Sequence, residues 1–169
     1  GLSAYAALMK AQGHAVAGSD RSESELLEDL RSQGISVTLK QDGSGIPQGC
    51  NLFFFTEALA EDHPERKAAK DRGIRSISYF AALGELSEPF EVIAVSGTHG
   101  KSSTTGMLAK VLSDAGKDPT VVVGTKLPDL GGRNWRAGKS NLFLLEACEY
   151  RRSFHYLSPD LVVLTMVDG

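Results

Sequence analysis

Cysteine is scarce: Cys50 and Cys148 are the only two in 169 residues. They lie far apart and form no metal-ligand spacing. That count excludes a disulfide-dense scaffold and a structural zinc site, and two such cysteines in a cytosolic chain are expected to be free thiols. Long apolar runs are missing too; none approaches the ~20 residues that a membrane-spanning helix needs. Basic charge is not in excess. With 18 Lys and Arg against 21 Asp and Glu the net charge is −3, so the electrostatic footprint of a nucleic-acid or acidic-membrane binder is lacking. The opening Gly1-Leu2-Ser3-Ala4 has no basic segment followed by a hydrophobic core, so no export signal is visible and a cytoplasmic location is expected. What remains is a chain with 41% hydrophobic and 23% charged residues, the balance of a soluble globular protein with a real core. Its length suits one large domain or two small ones.

The strongest positive feature is Val95-Ser96-Gly97-Thr98-His99-Gly100-Lys101-Ser102-Ser103. It follows the apolar run Val92-Ile93-Ala94 and precedes a helical pattern from Thr104 to Ala115. A strand entering a glycine-bounded loop that ends in Gly-Lys-Ser and then a helix is a phosphate cradle. Backbone N–H groups of the loop and helix N-terminus face the anion, and the helix dipole favours negative charge there. Lys101 can reach the outer phosphates and the Ser102 hydroxyl can ligate Mg²⁺. The ligand expected at Gly97, Thr98, His99, Gly100, Lys101, Ser102 and Ser103 is ATP. The strict motif asks for a glycine five positions before Gly100, where Val95 stands, so the match is to a shorter loop; the plain alternative is a glycine turn before a helix. His99 either packs locally or acts at the phosphates.

The rest of the chain alternates helix and strand. Leu2 to Gln12 carries Leu2, Tyr5, Ala6, Leu8 and Met9 at helical spacing, and Gly13 ends it. Ala15 to Ala17 reads as a strand ending at Gly18-Ser19-Asp20. Ser22 to Ser32 reads as a helix with Ser22 as cap, Glu25 three residues on, and Leu26, Leu27 and Leu30 facing inward. Strands follow at Ile35 to Leu39, at Asn51 to Thr56 (a buried strand with three consecutive phenylalanines) and at Ile74 to Ser78. Helices are expected over Pro64 to Arg72 and Tyr79 to Leu86. Such alternation implies βαβ units and a parallel sheet, with a crevice at the C-terminal ends of the strands. Asp20 lies there, at the end of the second strand of a unit whose first strand is missing upstream. It either meets a ribose or base or serves as a helix N-cap or turn residue.

Ser87-Glu88-Pro89 reads as a linker, which divides the chain into residues 1–88 and 89–169. Beyond it come strand 91–96, the phosphate loop, helix 104–115, a strand from Thr120 to Val123 and a polar, glycine-rich segment from Lys126 to Ser140. Two strongly apolar strands follow, Leu142 to Leu145 and Leu161 to Val167. Glu146 ends the first of these. In a phosphate-loop fold a carboxylate ending a neighbouring strand supports Mg²⁺ directly or through water; the alternative is a strand-end acid paired with Arg151 or Arg152. Glu149, Arg151, Arg152, Ser153 and His155 form a polar cluster just beyond, either a solvated group of charges or a site for a carboxylate or phosphate.

Five segments in order resemble the Mur ligases: Gly18-Ser19-Asp20; Thr56-Glu57-Ala58 with Asp62-His63-Pro64-Glu65; the phosphate loop 97–105; Glu146-Ala147-Cys148-Glu149-Tyr150-Arg151-Arg152-Ser153-Phe154; and Leu164-Thr165-Met166-Val167-Asp168. The likeness is greatest to the branch that joins L-alanine to UDP-N-acetylmuramate in peptidoglycan precursor synthesis. It implies a Rossmann-like, parallel-sheet N-terminal domain for the UDP-sugar over 1–88, then the start of a phosphate-loop α/β domain for ATP over 89–169. It also implies Ser19, Asp20, Thr56, Glu149 and Ser153 at the UDP-sugar, Ser102 and Glu146 at Mg²⁺, and Lys101 as the catalytic cation. The implied reaction activates the muramoyl carboxylate as an acyl phosphate, which the amine of L-alanine then attacks.

Departures accompany the likeness. Members of the family begin with a further strand and a glycine-rich loop, continue past the last strand with an Asp-His pair, and carry a third domain. The sequence is therefore expected to be a fragment without ligase activity of its own. Met166 stands where Asn is usual and Cys148 where Asp is usual. Two other readings remain: another Mur-type ligase, such as one that attaches a recycled murein peptide to the same sugar nucleotide, and a non-catalytic nucleotide-binding module.

Overall fold

A computed structural model describes residues 1–147 and 155–167. Among them no helix is long and apolar enough to cross a membrane. The first helix, α1 (Leu2–Ala11), is buried around most of its circumference, with Ala4, Tyr5, Ala6, Ala7 and Leu8 all buried; a helix apolar on every side belongs inside a protein. Gly13, at φ +92°, turns the chain out of it.

Strand β1 (Ala17–Ser19) starts two residues later than the sequence suggests. Helix α2 (Glu25–Ser32) is capped by Ser24, whose hydroxyl accepts from the Leu27 N–H at 3.4 Å. Ser22 is not the cap: three more residues are spent in the turn, and the capping-box pairing with Glu25 does not form. Leu27 and Leu30 are buried, while Leu26 is half-buried. Arg31 then makes a two-pronged contact with Glu23 and donates to the Val37 carbonyl, tying α2 to β2 (Ser36–Thr38). Ser24→Ala is expected to cost about 1 kcal/mol in denaturant unfolding, the usual value of an N-cap, whereas Ser22→Ala changes nothing measurable.

The phenylalanine strand β3 (Leu52–Phe55) is half-buried throughout rather than buried. Helices α3 (Pro64–Asp71) and α4 (Tyr79–Ser87) flank β4 (Arg75–Ser78) much as read from the sequence. The parallel strands expected here form two pairs, β1–β2 and β3–β4, with no strand pairing between them among the described residues. Neighbouring strands must lie about 4.8 Å apart to pair. Here β1 and β3 instead face each other across a cavity of about 340 Å³, lined by both strands and by α1 and α2.

The second unit is a five-stranded sheet in the order β7-β6-β8-β5-β9. Strand β5 (Glu91–Ser96) has the bounds read from the sequence, and α5 (Lys101–Asp114) starts three residues earlier than expected. Strand β6 (Thr120–Leu127) runs four residues further than Val123. It then turns through a short 3-10 segment, Pro128–Leu130, into β7 (Arg133–Arg136). This antiparallel hairpin corrects the expectation of a polar loop over 126–140; its inward residue is Trp135. Strand β8 (Leu142–Glu146) is deeply buried, whereas β9 (Leu161–Leu164) lies at the sheet edge with Leu161, Val162 and Leu164 more than half exposed.

One hydrophobic core joins the two units. It contains Leu8 and Tyr5 from α1, Leu27 and Leu30 from α2, and Val92, Val122, Trp135, Phe143 and Leu145 from the large sheet. A smaller cluster lies on the other face, where α5 packs Ala109 against Val95, Val121 and Leu144. Helix α1 is thus the layer between the small parallel pairs and the sheet that carries the phosphate loop.

Candidate functional site

The loop from Gly97 to Gly100 leaves the C-terminal end of β5, the end at which parallel α/β sheets carry their ligands. Two of its backbone positions need glycine: Gly97 has φ +136° and Gly100 φ +81°. Gly100 is also the N-cap of α5 and offers no side chain to the first helical amides. Those amides have no carbonyl partner within the helix, so the N-terminus keeps its affinity for an anion. Lys101 is the first helical residue, and its Nζ folds back onto the carbonyls of Gly97 and Thr98. Thr98, His99 and Gly100 are exposed, and Lys101 and Ser102 are half-buried.

Glu146 stands at the same end of the sheet. It closes β8 and pairs in register with Val95, two residues before the loop. One of its carboxylate oxygens, Oε2, accepts from the Gly124 N–H at 3.1 Å. The other, Oε1, is buried and has no hydrogen-bond partner among the described residues. A buried carboxylate oxygen left without a donor is costly and suits a cation. The described residues contain no cluster of three or more acidic, His or Cys side chains able to hold a metal.

Glu146 also lines a second cavity of about 350 Å³, together with Thr56, Glu57, Tyr79, Phe80, Val123 and Gly124. The cavity between β1 and β3 is lined by Ser19, Asp20 and Thr56, and the two cavities share Gly1, Leu2 and Thr56. Three of the residues read as sugar-nucleotide candidates therefore meet at one cavity, which abuts the one that holds Glu146. Arg66 lies over the Phe55 ring in the wall of the first cavity, 4.2 Å from its centroid. Asp20 does not cap α2, since Ser24 does; its Oδ1 accepts from the Arg21 N–H and its own N–H donates to the Thr38 carbonyl. Glu149 and Ser153 lie outside the described residues, as do Arg151, Arg152 and Cys148. Cys50 is a free thiol in the wall of the first cavity.

Sequence reading missed three residues here. A Cβ at Gly124 would lie 2.7 Å from Glu146 Oε2, so a larger residue there would displace that carboxylate; a glycine directly after the Val121–Val123 run was the available signal. Glu65 is buried and lines the first cavity. Thr165 donates its hydroxyl to the His99 carbonyl at 2.6 Å; no local pattern gives that contact away.

Residues 1–91 match the sequence profile described as "Mur ligase family, catalytic domain". The profile stops short of the phosphate loop, but longer matches cover it. The UDP-N-acetylmuramate–L-alanine ligase of Caldicellulosiruptor saccharolyticus is 40% identical over 169 residues, which span 99% of this chain and 37% of that protein. The enzyme of the same name from Agathobacter rectalis is 37% identical over the same shares. This chain therefore spans little more than a third of the length of these curated relatives. Among solved structures, the UDP-N-acetylmuramate:L-alanyl-gamma-D-glutamyl-meso-diaminopimelate ligase of Neisseria meningitides superposes with a TM-score of 0.88 at 26% identity, covering 99% of this chain and 57% of that one. The UDP-N-acetylmuramate–alanine ligase of Thermotoga maritima gives 0.86 at 29% identity, covering 99% and 39%.

Proposed function

This chain belongs to the Mur ligase family, and from that premise we propose that it forms part of an ATP-dependent amide ligase joining L-alanine to the carboxylate of UDP-N-acetylmuramate. The observation that carries the reading is the pairing of Val95 with Glu146 across β5 and β8. It sets the phosphate loop and a carboxylate whose buried oxygen has no partner among the described residues at one end of one sheet. In this reading residues 1–88 hold the UDP-sugar, with Ser19, Asp20 and Thr56 among its contacts. Residues 89–169 begin the ATP-binding domain. The curated relatives, named for L-alanine ligation, support this choice of amine.

A carboxylate is a poor electrophile until one of its oxygens is phosphorylated to give an acyl phosphate, a mixed anhydride. In the proposed reaction the muramoyl carboxylate attacks the γ-phosphorus of ATP and ADP leaves. The amine of L-alanine then attacks the acyl carbon, loses a proton and expels inorganic phosphate. Phosphoryl transfer depends chiefly on positioning and on neutralised charge. Lys101 and the amides at the start of α5 supply both on the protein side. Ser102 and Glu146 would hold Mg²⁺, whose contribution is to neutralise the triphosphate.

Titration calorimetry tests the reading. Magnesium-dependent uptake of ATP and uptake of UDP-N-acetylmuramate are both expected; ATP uptake with no response to the sugar nucleotide would point to a nucleotide-binding module instead. Glu146→Gln should weaken the magnesium dependence of ATP uptake by at least about tenfold, since losing even an outer-shell partner of a metal costs that much. A second amine deserves a place in the assay because of the TM-score of 0.88 to the tripeptide ligase. Turnover by the whole enzyme with L-alanyl-gamma-D-glutamyl-meso-diaminopimelate and not with L-alanine would move the assignment to that activity.

A further inference from the structure

The end of β9 is built into the phosphate loop. The Thr165 N–H donates to the Ser96 carbonyl at 2.9 Å, and the Thr98 N–H donates to the Met166 carbonyl at 2.8 Å. The Thr165 hydroxyl has two acceptors within reach, the His99 carbonyl at 2.6 Å and the Ser96 carbonyl at 3.1 Å. The approach is so close that a Cβ at Gly97 would overlap Thr165 Oγ1 and lie 2.8 Å from the Met166 carbonyl oxygen. The two segments are 66 residues apart in the chain.

We propose that Thr165 is a positioning residue for the phosphate loop. A trans peptide is planar, and its C=O and N–H point in opposite directions. Holding the His99 carbonyl against Thr165 therefore turns the Gly100 N–H away from β9. Gly100 is the N-cap of α5, so its amide heads the series that continues through Lys101, Ser102 and Ser103 at the helix start. The contact from β9 sets the orientation of that first amide before any anion arrives, which lowers the ordering cost of binding. A hydroxyl is what the position needs: Thr165 Oγ1 reaches the loop carbonyls, and valine has the same shape without the donor. The proposal rests on the reading of this loop as the ATP site.

The test compares Thr165→Val with Thr165→Ser in this chain, using two measurements. Amide hydrogen exchange without nucleotide reads the clamp itself: in Thr165→Val the amides of Thr98 and of residue 165, which bond across to Met166 and Ser96, should exchange about tenfold faster, with β6 and β8 unchanged, as befits one lost hydrogen bond. Calorimetry with ATP and Mg²⁺ reads its consequence, an affinity about five- to tenfold weaker. Thr165→Ser should restore both. If Thr165→Val does not fold, Thr165→Ala against Thr165→Ser makes the same comparison. Exchange and affinity unchanged in the hydroxyl-free variant would overturn the proposal, and so would faster exchange spread evenly over the whole sheet. Should the unaltered chain take up no ATP, the proposed function fails, while the exchange measurement still decides the role of Thr165.

Discussion

Replacing Lys101 with alanine is expected to weaken ATP uptake by at least about a hundredfold while leaving the fold intact. The first half of that expectation follows from charge. Hydrogen bonds to charged groups contribute about 1.5–3 kcal/mol each, and a lysine at this position of a phosphate loop reaches two phosphates. Two such contacts amount to two or more factors of ten, at about 1.4 kcal/mol per factor. The second half follows from where the side chain rests. Lys101 is half-buried at the first position of α5, and its Nζ bonds to carbonyls of its own loop, those of Gly97 and Thr98. The sheet core beneath, Val95 and Leu144 with Ala109 of α5, does not depend on it. Calorimetry with ATP and Mg²⁺, run beside a thermal melt, separates the two halves. A loss below tenfold would mean that the loop amides alone hold the triphosphate, and the loop would then be a generic anion site.

The parts of the fold that could be read directly are those governed by neighbours in sequence. Strand β5 stands at 91–96 because Val92, Ile93, Ala94 and Val95 form an apolar run between a turn and a glycine. Helices α1, α3 and α4 end close to where their periodic patterns end. The start of α5 was misplaced because Gly100 gives no side-chain cap to announce it. Strand β7 went unread because Arg133-Asn134-Trp135-Arg136 buries a single side chain, and its pairing with β6 supplies the order that its composition does not. A long-range contact inserts Arg136 between Ser113 and Asp118, which steadies the hairpin from outside it.

The site divides in the same way. The glycine-bounded turn between β5 and α5 and the place of Glu146 at the end of β8 were legible because each leaves a local pattern. Gly124 and Thr165 were not, because each acquires its part through a residue far away in sequence: Glu146 in the first case, His99 in the second.

The division of the chain near residue 89 has a physical test in the stability of Leu8→Ala. Leu8 is fully buried on α1, in the first unit, yet its core includes Val92, Val122, Trp135 and Phe143 of the second. Truncating a buried leucine to alanine costs about 2.7–5 kcal/mol, the larger values where the cavity cannot collapse. Collapse is hindered here because α1 is held on one side by α2 and on the other by β6 and β7. A domain has only about 5–15 kcal/mol to lose, so the effect is a large fraction of the whole. Trp135, the one tryptophan in the chain, is 8% exposed in the large sheet, and its fluorescence reports that sheet at its contact with α1. If the units are joined through α1, Leu8→Ala moves the Trp135 transition and the far-UV circular dichroism transition in urea together, by the same 3–4 kcal/mol, or about that. If the linker at 87–89 separates independent domains, the dichroism loses an early phase and the Trp135 midpoint stays where it was. The shared core favours joint movement: a helix wedged between two sheets transmits the loss of one side chain to both.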